Sequence, residues 1–553
     1  MSTPIDLTLD ISAPVGGLAV RLTSRHTPTA NHTTALTLPA LIGTSALQQQ
    51  LSIPGIAPAP VASMQIDCDR NTPLNNSGRT LGHLWTATPP LGCTAHLRDS
   101  TGRALFSGII QTIETDSHIR LHIESGEQRP LSATLALRTS AAWGHWRDIR
   151  PLPWGYGRVT LEPLQYSHDR RIFVLLDHPI EAVEHLWRDN HPSNAYAWHN
   201  GVDNTGHPVA LLELAEPLSE GETLHVQLRG KRHPQTGHLL QSPGDILGDI
   251  LTHLAGLPQA AQRLHTFSHH TKHIELGGTL TDNTITARAV IDNLLQSIGA
   301  AWSPDLPEIA TLWPPPATTL HPALEITPLH TSELQAASSH QHIYTRLRIL
   351  FDWDESMQRH RQSLEATAPQ AIKEHGDNPL EWPAPWLRHA RDARQLAQRI
   401  LGQTARPRWL LRWQQNLTTA RIGDTAAIHH PHSPLQGHWP ITATEIDSTS
   451  ATLHISTIGN TGPAPDITVG TASRAFEPLL QPGITVETAA GEILFTATGE
   501  NGQPLAGASI TLDGGATRIA DNRGRVSFPA ARGKHTLLVR AQGYPDSTTE
   551  IIV

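Results

Sequence analysis

The side chains most able to do chemistry are histidines, 34 in a chain of 553 residues. Four of them cluster as His265 and His269-His-Thr-Lys-His273. On a helix, His269 and His273 would share a face and could offer two imidazoles to a divalent metal. However, no carboxylate lies inside the repeat, the His-Glu-x-x-His pattern of zinc hydrolases is absent, and Ile274-Glu-Leu-Gly-Gly278 reads as strand. A second group, His429-His-Pro-His432, falls in a turn and reads as a surface loop. It gains a metal role only where subunits bring such loops to a symmetry axis. Carboxylates concentrate in Phe351-Asp-Trp-Asp-Glu355. A glycosidase needs two carboxyl groups roughly 5 to 10 Å apart, whereas acids beside a tryptophan at the end of Arg346-Leu-Arg-Ile-Leu-Phe351 read as a turn paired with arginines. Neither a Gly-x-Ser-x-Gly elbow nor a Gly-x-x-x-x-Gly-Lys-Ser phosphate loop occurs. No catalytic, cofactor-binding or metal-binding residue is assigned, and the expectation is a protein that is not an enzyme.

Composition narrows the class. Hydrophobic residues make up 38% and charged residues 16%, and 43 prolines with 41 glycines reach about 15% of the chain, above a usual share of roughly 12%. This composition predicts many turns and a mostly β chain. The net charge of −9 argues against a general nucleic-acid binder, which carries a clustered basic excess. Cys68 and Cys93 are too few for a disulfide framework or a four-thiolate site, and are expected as buried, reduced small hydrophobes. No run of about 18 apolar residues is present, and Met1-Ser-Thr-Pro-Ile-Asp lacks the features of a signal peptide, so folding in the cytoplasm is expected.

These residues must be carried by elements, and the period of the chain changes most cleanly between 379 and 458. Pro385 to Gly402 spaces Leu387, Ala390, Ala393, Ala397, Ile400 and Leu401 three or four apart, predicting an amphipathic helix with Arg388, Arg391, Arg394 and Arg399 on its solvated face. After Ala405-Arg-Pro407, Trp409, Leu411 and Trp413 alternate with Leu410 and Arg412, predicting a strand. Strands at 439–446 and 451–458 complete a barrel.

The fold class expected is mainly β with α+β parts. Residues 1–60 read as an N-terminal arm, a strand or an extended segment, followed by a linker. Residues 61–137, with strands at 64–68, 94–98, 104–114 and 118–124 and a turn at Asp99-Ser-Thr-Gly102, read as a first β-barrel. Residues 138–240 read as an inserted β domain holding Trp143-Gly-His-Trp146, strands at 171–176, 209–214 and 223–228, and Asn200-Gly201 and Thr205-Gly206 as hairpin turns. Residues 241–335 read as a small α/β subdomain with helices from Ser242 and from Thr286, followed by the stiff Trp313-Pro-Pro-Pro316. Residues 336–460 hold an exposed loop at 355–377, the arginine-bearing helix and a second barrel. A linker at 461–483 precedes a β-sandwich at 484–553.

Three stretches in this order resemble tailed-phage baseplate or tail-tip hub proteins: Phe106-Ser-Gly-Ile-Ile, Arg229-Gly-Lys-Arg-His-Pro through Ser242-Pro-Gly-Asp-Ile-Leu to Gly256, and Ala405-Arg-Pro-Arg-Trp409 followed by Arg421-Ile-Gly-Asp424. The resemblance covers roughly residues 60 to 460, and it lies in the order of the motifs. Separately, Gly502-Gln-Pro-Leu-Ala-Gly, Asp521-Asn-Arg-Gly-Arg-Val-Ser-Phe528 and Gly533 through Gly543-Tyr544 resemble the carboxypeptidase regulatory-like, transthyretin-like β-sandwich.

The hub resemblance implies two hub-type barrels and a homotrimer in the virion. It further implies contacts with a distal tail or tail tube protein, the tape measure protein and a central tail fibre or spike. Phage DNA would pass transiently through the lumen. The alternatives are a surface carbohydrate-binding adhesin or polysaccharide hydrolase, and the hub of a phage-tail-like injection particle.

Overall fold

The structure is a computed structural model. It describes residues 7–552 except 13–18, 25–34, 45–46, 57–62, 75–77, 99–101, 144–148, 316–321, 329–333, 340–341, 417–421, 448–451, 475–482, 490–491, 499–503, 530–533, 541–546 and the single positions 103, 127, 190, 305, 307, 506, 514 and 516. Expected features at Trp146, Pro316, Arg421, Gly502, Gly533 and Tyr544, and most of the Asp99–Gly102 turn, lie outside the described residues. The chain forms two compact units, 1–359 with 364–471, and 360–363 with 472–553.

The first lobe of the larger unit is an eight-stranded sheet in the order Ala35–Leu38, Ala19–Thr23, Thr8–Ile11, Thr94–Arg98, Ala104–Thr115, Ile119–Ser125, Ser63–Cys68, Leu41–Thr44. Its first and last strands are consecutive in the chain, joined only by Pro39 and Ala40. A two-residue link cannot span a flat eight-stranded sheet, since neighbouring strands lie about 4.8 Å apart. The sheet therefore curls, bringing its two edge strands together at the Pro39-Ala40 corner. Leu9, Leu22, Ile66, Cys68, Leu121 and Ile123 fill the inside with Cys93 and Trp85, and both cysteines are free thiols. Burial pushes the Cys68 thiol far above its ordinary value, away from the range of reactive thiolates. Gly108 of the Phe106-Ser-Gly stretch is required for close approach, because a Cβ there would lie 2.3 Å from the Glu124 carbonyl oxygen.

Of the two readings of the N-terminal stretch the strand holds, and the extended arm and linker are corrected. Leu7, Leu9, Ile11, Val20 and Leu22 alternate with polar neighbours and bury one face each, as strands do. The prolines and glycines that suggested a linker separate short strands. Leu47–Gln50 then pairs antiparallel with Gly437–Asp447 of the second lobe, and Leu51 and Ile53 enter a core with Ala301, Leu306, Trp313 and Ile422.

The inserted β region is two four-stranded sheets facing across Val159, Phe173, Leu175, Leu212, Val226 and Leu228. Asn200-Gly201 is not a turn. It lies inside Tyr196–Val202, where the Asn200 amide bonds both the N–H and the carbonyl of Ile180. The reversal falls at Asp203–Gly206, as the Thr205-Gly206 pair suggests.

Helix Pro243–Asp249 is capped by the Ser242 hydroxyl and runs on as a wide turn over Ile250–Leu254. Helix Ala287–Ile298 is capped by Thr286 and closed by Gly299 at φ 60°.

The second lobe orders Pro322–Ile326, Thr425–Ile428, Gly437–Asp447, Thr452–Asn460, Arg408–Asn416 and Leu334–Ser338. Again the two edge strands are consecutive, and again one edge strand pairs in parallel with its neighbour. Leu411, Trp413, Ile441 and Ile455 face inward as the alternation predicts.

Residues 355–377 are not an exposed loop. They form strand Arg359–Thr367 and helix Pro369–His375, and the strand's polar residues are half-buried at 359–362. The arginine-bearing helix is Ala390–Thr404. It starts later than expected because Leu387 bridges to Leu276 and His389 keeps an extended backbone as the N-cap.

The smaller unit stacks a three-stranded sheet against a four-stranded one over Phe495, Phe528, Ile510, Leu537 and Val539. The Asp521 carboxylate accepts from the N–H groups of Arg523 and Arg525, both at 2.8 Å, which shapes its hairpin. Strands Thr468–Val469 and Ser473–Arg474 fall within the expected 461–483 linker.

A core strand and a tethering arm differ in energy. Leu51→Ala is expected to cost about 2–5 kcal/mol of stability by chemical denaturation, because Leu51 is 1% exposed; a loss under about 0.5 kcal/mol would fit a loose arm instead.

Candidate functional site

His265 to Thr271 is a helix, but His273 lies beyond its end, and His265, His269 and His273 are exposed. The rings of His269 and His270 sit 5.9 Å apart without a carboxylate between them. His430 and His432 hold their own turn together, the His430 ring accepting the His432 N–H at 3.2 Å. Among the described residues no three His, Cys, Asp or Glu side chains converge as a metal site would require.

The carboxylates of Asp352, Asp354 and Glu355 are occupied by local partners. Asp352 pairs with Arg388 at 3.1 Å. Asp354 accepts from Ser356 and from the Met357 N–H. Glu355 accepts from the Trp353 indole and the Thr281 hydroxyl. None of the three lines the cleft beside Arg388 or the concavity on the second lobe.

The arginine helix departs from expectation. Arg391 and Arg394 are exposed, but Arg388 and Arg399 are interior. Arg388 donates to the carbonyls of Trp353 and Gly277, each at 2.7 Å. Arg399 donates to the carbonyls of Ile298 and Gly299 at the end of another helix, where the helix dipole favours a cation. Burial pulls Arg399 down to about 10. These two arginines tie the interior rather than face solvent, a role that helical spacing does not distinguish from a solvated one.

Two buried polar clusters explain sequence features that could be mistaken for chemistry. In the first, the Lys231 ammonium lies 2.7 Å and 2.9 Å from the two oxygens of Asp249. The Tyr156 hydroxyl donates to the same carboxylate at 2.7 Å, and the Trp154 indole donates to Tyr156 at 2.9 Å. Lys231 also sits 4.3 Å over the Trp154 ring. Lys231 of the Arg229-Gly-Lys stretch and Asp249 of the helix that Ser242 caps thus form one ion pair that ties sheet to helix. Gly230 lets the strands touch, since a Cβ there would meet the Gly155 carbonyl at 2.4 Å. Nearby His178 accepts from the Gly155 N–H through Nε2, and its burial pulls it down to about 4, so it stays neutral.

In the second cluster, Arg138 bridges Asp177 and Asp203, pinning the segment that carries Trp143 over Val174, Val209 and Leu211. Burial pushes Asp177 up to about 6, with Asp203 adding to the rise and Arg138 and His207 opposing it. Asp203 shifts the other way. Its own burial is outweighed by bonds from Thr205 and Arg138.

The broader concavity, about 450 Å³, lies on one face of the second lobe's sheet. Cross-strand register places Gln50, Ala443, Ser456, Arg412 and Gln335 in one row. Glu445, His454 and Gln414 form the next, while Trp413 and Ile455 point to the core behind. Amides, a hydroxyl and one charge of each sign make a near-neutral hydrogen-bonding surface. It holds no nucleophile paired with a base. The alternation at 408–414 signalled this face, but only the sheet order shows that five strands contribute to it.

No family model matches the chain, and no curated protein matches it. Among solved structures it is similar to a protein of the virion of a native gene transfer agent particle, at 13% identity and TM-score 0.40, over 56% of this chain and 84% of that one. A tail protein from Neisseria meningitidis MC58 aligns at 7% identity and TM-score 0.39, over 82% of this chain and 96% of that one. An E. coli component of the type VI secretion system, described as similar to T4 tail proteins gp27 and gp5, aligns at 10% identity and TM-score 0.32, over 93% and 97%. Superpositions this loose leave the assignment to the chain's own residues.

Asp249→Ala is expected to destabilise by about 3–5 kcal/mol, because it strands a buried ammonium; Lys231→Met combined with Asp249→Leu should recover much of that loss in the same denaturation assay. For Asp177, a carboxyl raised in the fold contributes stability that is present below its unfolded value of 3.8 and lost as pH rises through about 6. Asp177→Asn should therefore gain on the unmodified chain as pH is raised from 4 to 7; a pH-independent difference would count against the raised carboxyl.

Proposed function

We propose that the chain is a structural component of a phage tail, or of a related tail-derived particle, and that it forms the baseplate or tail-tip hub. Three copies close a collar around a channel that continues the tail tube. The observation that carries this reading is the pair of curled sheets in one chain, each with consecutive strands at its two edges and a parallel pair beside one of them. A ring subunit needs such rigid lobes, and closed assembly covers the edges that a free sheet would expose.

Further support comes from the hub-like stretches, whose residues act in the scaffold: Gly108 at a close strand contact, Lys231 with Asp249 in the buried tie, and Trp409 and Trp413 in the second lobe. The polar, near-neutral sheet face around Arg412 and Ser456 suits a channel wall past which DNA slides without being held. The partners of such a hub are the distal tail or tube protein, the tape measure protein and a central fibre or spike. The site of action is the tail tip of the virion. The 484–553 unit is read as a carboxypeptidase regulatory-like module added to the hub. The hub of an injection particle would use the same mechanics.

No helix among the described residues is long and apolar enough to cross a membrane. The described carboxylates at 352–355 are spent on local bonds, which disfavours the hydrolase reading.

Size-exclusion chromatography with light scattering should give a mass of about 180 kDa, three times 60.2 kDa, for the chain alone or with tail tube protein added. A species that stays monomeric in both conditions and cleaves polysaccharide would sink the proposal.

A further inference from the structure

The geometry points to an oxyanion-binding cleft on the larger unit, where the inserted β region, the bridging segment at 275–277 and the start of helix Ala390–Thr404 meet. The cleft has about 200 Å³ and is lined by Arg158, Arg229, Arg388, His389, Gln241 and Glu275, with Leu239 and Leu276 as apolar wall. Three guanidinium groups and an imidazole thus face one carboxylate.

Arg158 and Arg229 are direct cross-strand partners. Like charges placed opposite one another on neighbouring strands repel, so this pairing costs stability unless negative charge covers it. Glu184 and Glu181 do so in part, at 2.8 Å from Arg158 and 3.4 Å from Arg229. Neither glutamate lines the cleft, so the guanidinium groups, rather than their carboxylate partners, are what the cleft presents.

The third guanidinium is fixed. The Arg388 side chain is only 8% exposed and is held by Asp352 and the carbonyls of Trp353 and Gly277. Gly277 makes room for it, since a Cβ there would lie 2.7 Å from the Arg388 Nε. His389 is held by Glu275 at 2.8 Å, so the lone lining carboxylate is already engaged. The buried leucines lower the local dielectric and strengthen each charge-assisted bond to a bound anion.

Size restricts the ligand. Pockets for drug-sized molecules run to roughly 300–1,000 Å³, so this cleft takes one phosphate- or carboxylate-sized group and little of what bears it. The group could be a free anion, or the end of an acidic side chain presented by a partner or by another copy of this acidic chain, whose net charge is −9. The shared chemistry is a small oxyanion. The site does not rest on the ring, and a failed trimer measurement leaves it standing.

Thermal unfolding of the full chain tests it, with inorganic phosphate replacing chloride at matched ionic strength. A ligand that binds the folded state raises the midpoint along a saturating curve, whereas general exclusion of phosphate from the surface gives an unsaturating rise. The expected result is saturation, with the apparent dissociation constant about tenfold weaker or more in the Arg158→Gln/Arg229→Gln double variant. Both side chains are partly exposed, at 53% and 39%, so the variant should fold. Arg348→Gln, which removes an arginine paired with Glu381 elsewhere, should leave the curve unchanged. A parallel acetate series separates the sources: saturation with acetate as well identifies a carboxylate site, and saturation with phosphate alone a phosphate site. The proposal is overturned if phosphate produces no saturating rise, or if the double variant responds like the unmodified chain.

Discussion

Pro39 and Ala40 join strands that lie at opposite edges of an eight-stranded sheet. That covalent constraint shapes the first lobe and, through it, the larger unit. A sheet whose edge strands are joined by two residues must curl, and right-handed strand twist makes such curling natural. Curling puts alternate side chains of the strands into one core, which is why Leu9 and Leu22 share a cluster with Ile119, Leu121 and Ile123, about a hundred positions further along the chain. The second lobe repeats the arrangement with Pro322–Ile326 and Leu334–Ser338 at its edges, and Leu47–Gln50 leaves the first lobe to pair in the second.

Charge inside the larger unit follows a consistent rule. Each of four interior cations is met by a carboxylate or by backbone carbonyls: Lys231 by Asp249, Arg138 by Asp177 and Asp203, Arg388 by Asp352 with two carbonyls, and Arg399 by the end of a helix. Desolvating an ion is expensive without such partners. These contacts join parts of the chain far apart in sequence, so they fix the mutual placement of sheets and helices more than they add net stability. At the cleft Arg158 and Arg229 also have carboxylate partners, Glu184 and Glu181, but those partners do not line it.

Legibility varied with the range of the interaction involved. Ser242 and Thr286 cap helices as expected, and Trp409, Leu411 and Trp413 follow the period of a strand, because both signals are local. The number and pairing of the N-terminal strands were hidden by their brevity, since four- and five-residue strands between prolines and glycines look like a linker until their partners are known. Asn200-Gly201 has the composition of a turn, but the bonds from Asn200 to Ile180 hold it in a strand. Arg388 and Arg399 have the same helical spacing as exposed Arg391 and Arg394, and which of them is interior depends on what packs against each.

By itself the sequence determined the β-rich class, the helix caps, the strand faces, and the absence of any recognisable catalytic motif, all of which depend on residues within a few positions of one another. Tertiary structure alone decided that strands within the first fifty residues complete two sheets, that two arginines are interior, and that Arg158, Arg229 and Arg388 share a cleft. The physical reason is that pairing edges and burying charge are settled by neighbours distant in the chain, and local periodicity carries no record of them.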